Sequence, residues 1–414
     1  MINSNIEPVD KRLSWVLLAM MLIPSFNYYF NNIALKLIGN GSIGLIVYVC
    51  LLVVSFYGMR LAYKYHRVPT MISRLVILLL LLTLVSIVLY NDSTHGMLVR
   101  ADYHPVFSHA LNLICFGIPG LVVVSACRRW DFIIHKLYIF APIIVVMAFY
   151  SFYLVGFSTW GEGSMDYLSL SYYMLPSFCV CFISLFRNRN LLMLPFCLLA
   201  LFVIIAAGSR GAFVCTAMFV ALYMWKYVLS QKGNTIAKIL FAAVALMVVG
   251  SFFTSMEVIG SFMEKLGISS RTVNTIASND FLYADDRNAI RDAIFKGVSD
   301  NPFGYSLFGD RYIASKYYIE GAEYSHNIIV EFIADFGVIL GPALLLYLLV
   351  NLYKTVRNVA DDSTTMIFLV FIPSGLFKLF FSDSYLTEVF FWLIIGLIIS
   401  KNLYKNYNEY QYGK

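Results

Sequence analysis

The sequence predicts an all-α, polytopic membrane protein with about 12 transmembrane helices and one long, partly helical loop on the outer side. Three observations predict it. The 414 residues are 60% hydrophobic and only 13% charged, with a mean hydropathy of +0.75, whereas soluble domains carry about a quarter charged residues. Apolar runs recur along the chain at about 20 residues, the length that crosses a bilayer core as a helix. The runs are continuous rather than alternating, which excludes outer-membrane strands, and they are too many and too long for one buried core.

Taken in order, the runs place helices near 13–31, 43–60, 71–90, 106–127, 132–155 and 167–186. Six more follow near 191–207, 211–230, 236–254, 327–353, 365–381 and 386–403, of which 191–207 and 365–381 are short. The segment beginning at Leu13 lacks a small-residue cleavage site, so it reads as a first span and not as a removed signal. This divides the chain into spans one to nine (1–254), a large outer loop (255–325), and spans ten to twelve with a tail (326–414).

An even number of spans puts both termini on one side, and alternate loops should then be rich in Lys and Arg. The N-terminus, the stretches around 60–74, 127–136, 187–190, 225–238 and 353–357, and the tail together carry 19 of the 30 basic residues. The short loops of the opposite set hold only Lys36, Arg100 and Arg210, while Lys378 lies inside a span. Seven more basic residues sit in the 255–325 loop, and long loops cross regardless of charge. Both termini are therefore expected in the cytoplasm and 255–325 in the periplasm of a bacterial host. The net charge of +6 is explained by this orientation bias, not by nucleic acid. The seven cysteines fall in or beside apolar segments with no disulfide framework or metal-ligand spacing, and read as small apolar filler.

Three stretches depart from lipid-facing chemistry. In "FLYADDRNAIRDAIFKGVSDNPFG" (281–304), Ala289, Ile290, Ala293, Ile294 and Val298 recur at helical spacing, and "DNPFG" stops the helix. Arg287 and Arg291 stand at i and i+4 on one face, with Arg287 in the first turn, where the helix N-terminus favours anions. These arginines either hold an anion or simply pair with Asp285, Asp286 and Asp292. In "AAGSRGAF" (206–213), Arg210 is bracketed by Gly208, Ser209 and Gly211. Glycines admit a ligand close to backbone N–H groups, and a guanidinium forks onto phosphate. The alternative is an interfacial anchor or a tight interhelical turn. In "AEYSHN" (322–327), an imidazole, a hydroxyl and an amide stand at the lip of a long apolar run. Either His326 serves chemistry, or Ser325 or Asn327 caps the helix with His326 merely interfacial.

The order of these motifs resembles the O-antigen polymerase and ligase superfamily of bacterial surface-polysaccharide synthesis. "GSRGA" at 208–212, "NPFG" at the end of the Arg287 helix and "YSHNIIVEFIADFGVILG" at 324–341 carry the resemblance, which covers roughly 200–345 by motif. It implies a GT-C-like glycosyltransferase of the inner membrane. Such an enzyme joins oligosaccharides at the outer face from a donor linked through pyrophosphate to undecaprenol, with no cofactor, metal or nucleotide. It also implies membrane lipid and a chain-length regulator protein as partners. Carried over by motif, His326, Arg210 and Arg287 are the catalytic residues. Arg291 and Arg311 match less clearly and, with Asn327, are read as substrate-binding. The ending "FSDSYLTEVFFWLIIGLI" (381–398) looks more like polymerases than ligases. A lipid-linked oligosaccharide flippase is the non-enzymatic rival. Flippases and transporters, however, commonly show internal repeats and mid-membrane charges, and here the candidate residues cluster at one face.

The topology is directly checkable. Labelling of an engineered cysteine near residue 275 in intact spheroplasts should succeed; protection there, with labelling of the 231–235 loop, reverses the orientation.

Overall fold

The computed structural model describes residues 6–39, 42–90, 105–155, 167–207, 209–229, 285–317, 324–359 and 361–412. Every regular element among them is helical. In chain order these are α1 (Ile6–Ile38), α2 (Ser42–Lys64), α3 (Thr70–Tyr90), α4 (Pro105–Asn112), α5 (Ile118–Ala126), α6 (Trp130–Val155), α7 (Tyr167–Arg187), α8 (Leu194–Ala206) and α9 (Arg210–Met224). The outer-loop helices α10 (Asp285–Asp300) and α11 (Gly309–Lys316) come next, then α12 (Ile328–Asn358), α13 (Asp362–Phe371) and α14 (Val389–Tyr412).

Among the described residues, eight helices are long and apolar enough to cross a membrane, and three shorter apolar helices occupy Leu191–Ala206, Gly211–Tyr227 and Val389–Lys401. Each corresponds to a span expected from the sequence; the expected span at 236–254 lies outside the described residues. The Val106–Ala126 span is α4 and α5 joined through a π turn at Leu113–Gly117, and a second π turn at Ile372–Phe377 continues α13. All seven cysteines are free thiols.

Polar contacts sort the loops to two ends. At one end Asp10 pairs with Arg67 and Glu7 with Arg129. There too, Asp362 takes Arg187 and the Tyr227 hydroxyl, Ser363 bonds Asp131, and Lys401 reaches Thr364. These are the loops with the basic excess, so residues far apart in sequence gather where the charge pattern groups them. The other end gathers α10, α11, the start of α12 and the hairpin between α13 and α14.

One large apolar core runs through the bundle, and a small satellite core of Ile290, Ile294, Val298, Ile313, Val330 and Ala334 seats α10 and α11 on the first turns of α12. The seat requires a break in α12. Residues 327–353 read as one continuous helix in sequence, but Gly337 adopts φ +82, ψ 174 inside it. In an unbroken helix the Val338 N–H would donate to the Ala334 carbonyl. Here that carbonyl accepts from Tyr305 N–H (2.9 Å), Asp335 C=O accepts from Ser306 N–H (2.8 Å), and Val338 N–H donates to Pro302 C=O (3.0 Å). The "NPFG" segment and the two residues after it thus supply partners for the groups that the break frees. Its own Gly304 is also at φ +82, and a Cβ there would lie 2.7 Å from Asp335 O.

Gly304→Ala should therefore cost roughly 2 kcal/mol or more, combining a left-handed side-chain penalty with a backbone clash. Thermal unfolding of the detergent-solubilised protein checks this: a lowered midpoint is expected, and an unchanged one means the loop is not locked into the helix break.

Candidate functional site

At the end that gathers α10 and α11, α12 begins with a capped turn. Asn327 is extended (φ −153, ψ 121), and its Oδ1 accepts from Ile329 N–H (2.9 Å) and Val330 N–H (3.3 Å), satisfying donors that a helix start leaves open. The other half of the amide donates to Phe380 C=O at 2.9 Å. Of the two caps open in the sequence, Asn327 is the one used. Ser325 instead gives its N–H to Asp310 Oδ2 (2.9 Å) and its hydroxyl to Asn327 C=O (3.3 Å). Between them His326 sits at φ +55, in the left-handed region that histidine enters more readily than most residues. Its half-buried ring lies 4.0 Å from the Tyr324 ring, centroid to centroid.

Below this turn lies a buried ionic cluster. Arg311 is 2% exposed. Its Nη1 donates to Asp310 (2.5 Å) and Glu331 (2.8 Å), its Nη2 to Ser384 (2.6 Å) and its Nε to His109 Nδ1 (3.1 Å). Burial works against the guanidinium charge, but Asp310 and Glu331 outweigh it and raise the Arg311 pKa. Ser384 also donates to Glu331, whose other oxygen accepts from Tyr385 N–H (3.2 Å). Asp335 accepts from Gly309 N–H (2.7 Å) and the Tyr385 hydroxyl (2.5 Å). Every carboxylate in the cluster therefore has N–H or O–H donors, as buried charge requires.

A second cluster stands in the same hairpin. Lys378 Nζ lies 2.6 Å from both Asp383 and Glu388, and 5.4 Å above the Tyr172 ring. Burial pushes the Asp383 pKa up, but Lys378 more than reverses this and holds it at about 2. Packed against this hairpin is the start of α9, which opens at Arg210 with Ser209 Oγ accepting from Ala212 N–H (3.3 Å). A Cβ at Gly211 would collide with the Tyr172 hydroxyl and lie 2.9 Å from Phe381 Cβ. Glycine at 211 is thus required by close approach.

The expected site residues fall as follows. His326 and Asn327 form the turn, and the Arg210 backbone begins the helix that touches the same hairpin. The link is short: Asn327 bonds Phe380, and Phe381 packs on Gly211. Arg287 lies in α10, three residues before buried Ile290, and its side chain and that of Arg210 lie outside the described residues. Arg291 is exposed on α10. Arg311 faces protein acceptors. Lys378, Asp383, Glu388, Glu331 and His109 escape the motif reading of the sequence, although ionisable residues within apolar spans are the signal that marks such groups.

Residues 195–348, a little over a third of the chain, match the family model described as O-antigen ligase, which supports the resemblance to the O-antigen polymerase and ligase superfamily. No curated protein and no solved structure matches the chain.

Removing the hairpin cation tests the second cluster. Lys378→Met leaves the half-buried Asp383 and the buried Glu388 facing each other and should destabilise the protein by roughly 3 kcal/mol near neutral pH. In the parent, Asp383 stabilises the fold above the ordinary carboxylate range, and this is lost as pH falls through about 2. In the variant the unpaired carboxylates take up protons more readily, so the deficit in thermal midpoint should shrink between pH 8 and pH 5. A deficit independent of pH would show that Lys378 acts through packing alone.

Proposed function

We propose that this chain is an O-antigen polymerase, moving a growing glycan from undecaprenyl pyrophosphate onto the next lipid-linked repeat unit at the periplasmic face of the inner membrane. The observation that supports this best is the convergence just described. The His326 turn and the start of the Arg210 helix meet the same hairpin at the sparsely basic end, and α10, which carries Arg287, is seated on the first turns of α12. On the charge pattern, the opposite end with its basic excess is cytoplasmic, and both termini with it.

The chemistry follows from these residue types. A hydroxyl of the incoming unit loses its proton to His326, since imidazole is suited to accept one near neutral pH. The hydroxyl oxygen bonds to the anomeric carbon of the donor as the bond from that carbon to pyrophosphate breaks. Undecaprenyl pyrophosphate leaves with the electron pair. Negative charge grows on the leaving group, and the guanidinium groups of Arg210 and Arg287 stabilise it in place. Arg291, exposed on the same helix, would meet the sugar chain of an entering substrate in this reading.

A second reading has an observation behind it. The matched family model is described as a ligase, and a ligase would use the same donor chemistry with lipid A-core as acceptor. Deleting the gene separates them. One repeat per core on a lipopolysaccharide gel means polymerase; free core with accumulated lipid-linked polymer means ligase. Polymer made by purified protein from lipid-linked repeats excludes the flippase.

Arg210→Ala and Arg287→Ala should each lower polymerisation about 100-fold or more, the scale of a lost transition-state contact, and lysine should rescue poorly because it lacks the fork. His326→Ala should leave donor binding intact and cost ~100- to 10,000-fold in turnover. Long-chain polymer at parental level from any of the three alanine variants removes that residue from the site, and loss of donor binding in His326→Ala moves the imidazole from base to pyrophosphate ligand.

A further inference from the structure

We propose that Arg311 is a positioning residue for His326 and not a ligand of the lipid-linked donor. The proposal rests on the reading of His326 as proton acceptor. Arg311 lies in the outer loop, within the motif region, yet it is 2% exposed, and all three of its nitrogens donate to protein acceptors on four other residues. Asp310 and Glu331 form ion pairs with it at 2.5 and 2.8 Å, and Asp335 stands in the same cluster through Gly309 and Tyr385. A pyrophosphate arriving here would meet three carboxylates for one cation, an arrangement that repels anions.

What the cluster does grip is the chain on either side of His326. Asp310 divides its carboxylate, with Oδ1 on Arg311 and Oδ2 on the Ser325 N–H. The Tyr324 ring, 4.0 Å from the His326 ring, also stands 5.8 Å from the Arg311 guanidinium carbon and 5.9 Å from the His109 ring. On the far side, Asn327 is fixed by its cap and by Phe380. The two residues before His326 and the one after are thus held, and His326 between them is kept at φ +55. A left-handed non-glycine residue persists only where its surroundings over-determine it. Arg311 also ties four segments into that frame, namely α11, α4 through His109, α12 through Glu331, and the hairpin through Ser384.

The test is a double-mutant cycle on purified protein with a synthetic polyprenyl-pyrophosphate oligosaccharide, measuring kcat and donor KM for Arg311→Lys, His326→Ala and the double variant. Lysine keeps the charge but cannot reach four acceptors at once. Arg311→Lys should lower kcat about 10- to 100-fold, the scale of a misplaced catalytic group. Donor KM should stay within about twofold, and in the His326→Ala background the same change should cost almost nothing further, because residues acting as one unit are non-additive. A raised KM at unchanged kcat would make Arg311 a donor ligand. Losses that multiply would mean that it acts independently of His326 or only through folding. Either overturns the proposal. If Arg311→Lys does not yield monodisperse protein, Asp310→Asn, which keeps Arg311 and weakens the tie to Ser325, takes its place in the cycle, and each outcome keeps the same meaning. Full activity in His326→Ala alone would sink the underlying reading of the histidine, a result recognisable before Arg311 is touched.

Discussion

A helix inside a bilayer can stop bonding to itself only where protein supplies the lost partners, because lipid offers none. The break of α12 at Gly337 obeys that constraint, and the arrangement of the end that gathers α10 and α11 depends on it. Pro302, Tyr305 and Ser306 take over the backbone groups that Val338, Ala334 and Asp335 give up. In doing so they fasten the segment between α10 and α11 to a spanning helix. The satellite core of Ile290, Ile294, Ile313 and Val330 then sets α10 and α11, and with α11 come Asp310 and Arg311. The route from the break to the turn at His326 is therefore continuous and made of named bonds.

Charge is concentrated at this end in two clusters, one around Arg311 and one around Lys378. The carboxylates are already committed: Asp310 and Glu331 to Arg311, Asp383 and Glu388 to Lys378. Replacing such clusters by apolar packing is often neutral for stability, so their presence is better explained by specificity of arrangement than by net stabilisation. Here the arrangement fixes three backbone segments that must agree in position: the 324–327 turn, the first turn of α9 and the hairpin after α13. Arginines proposed to bind pyrophosphate act beside a frame whose two cations, Arg311 and Lys378, are already held by protein carboxylates.

Much of the fold is legible in the sequence because its cause is local. Each apolar run long enough to cross, among the described residues, is a helix, and the basic loops gather at one end as the charge count implies. Asn327 as a helix cap is also readable, since capping is a property of one side chain and the next three residues. The break at Gly337 is not. "EFIADFGVILG" satisfies a helical pattern, and its interruption depends on partners about thirty residues earlier in the chain. Arg311 reads as a substrate contact from its neighbourhood in the motif order. Its burial follows from Glu331, Ser384 and His109, which no spacing rule connects to it. Lys378 is visible as a charge inside a span, but its partners Asp383 and Glu388 become a cluster only when the hairpin folds back.

If the proposed chemistry is right, the His326 turn and the helices starting at Arg210 and carrying Arg287 enclose one pyrophosphate site at the outer end. The decisive measurement is a structure of the full-length protein in lipid with a bound polyprenyl-pyrophosphate oligosaccharide. The pyrophosphate should lie between the Arg210 and Arg287 guanidinium groups, with His326 facing the anomeric carbon. Density for the pyrophosphate at the opposite, basic end, or at the outer end but away from both arginines, would refute a shared site.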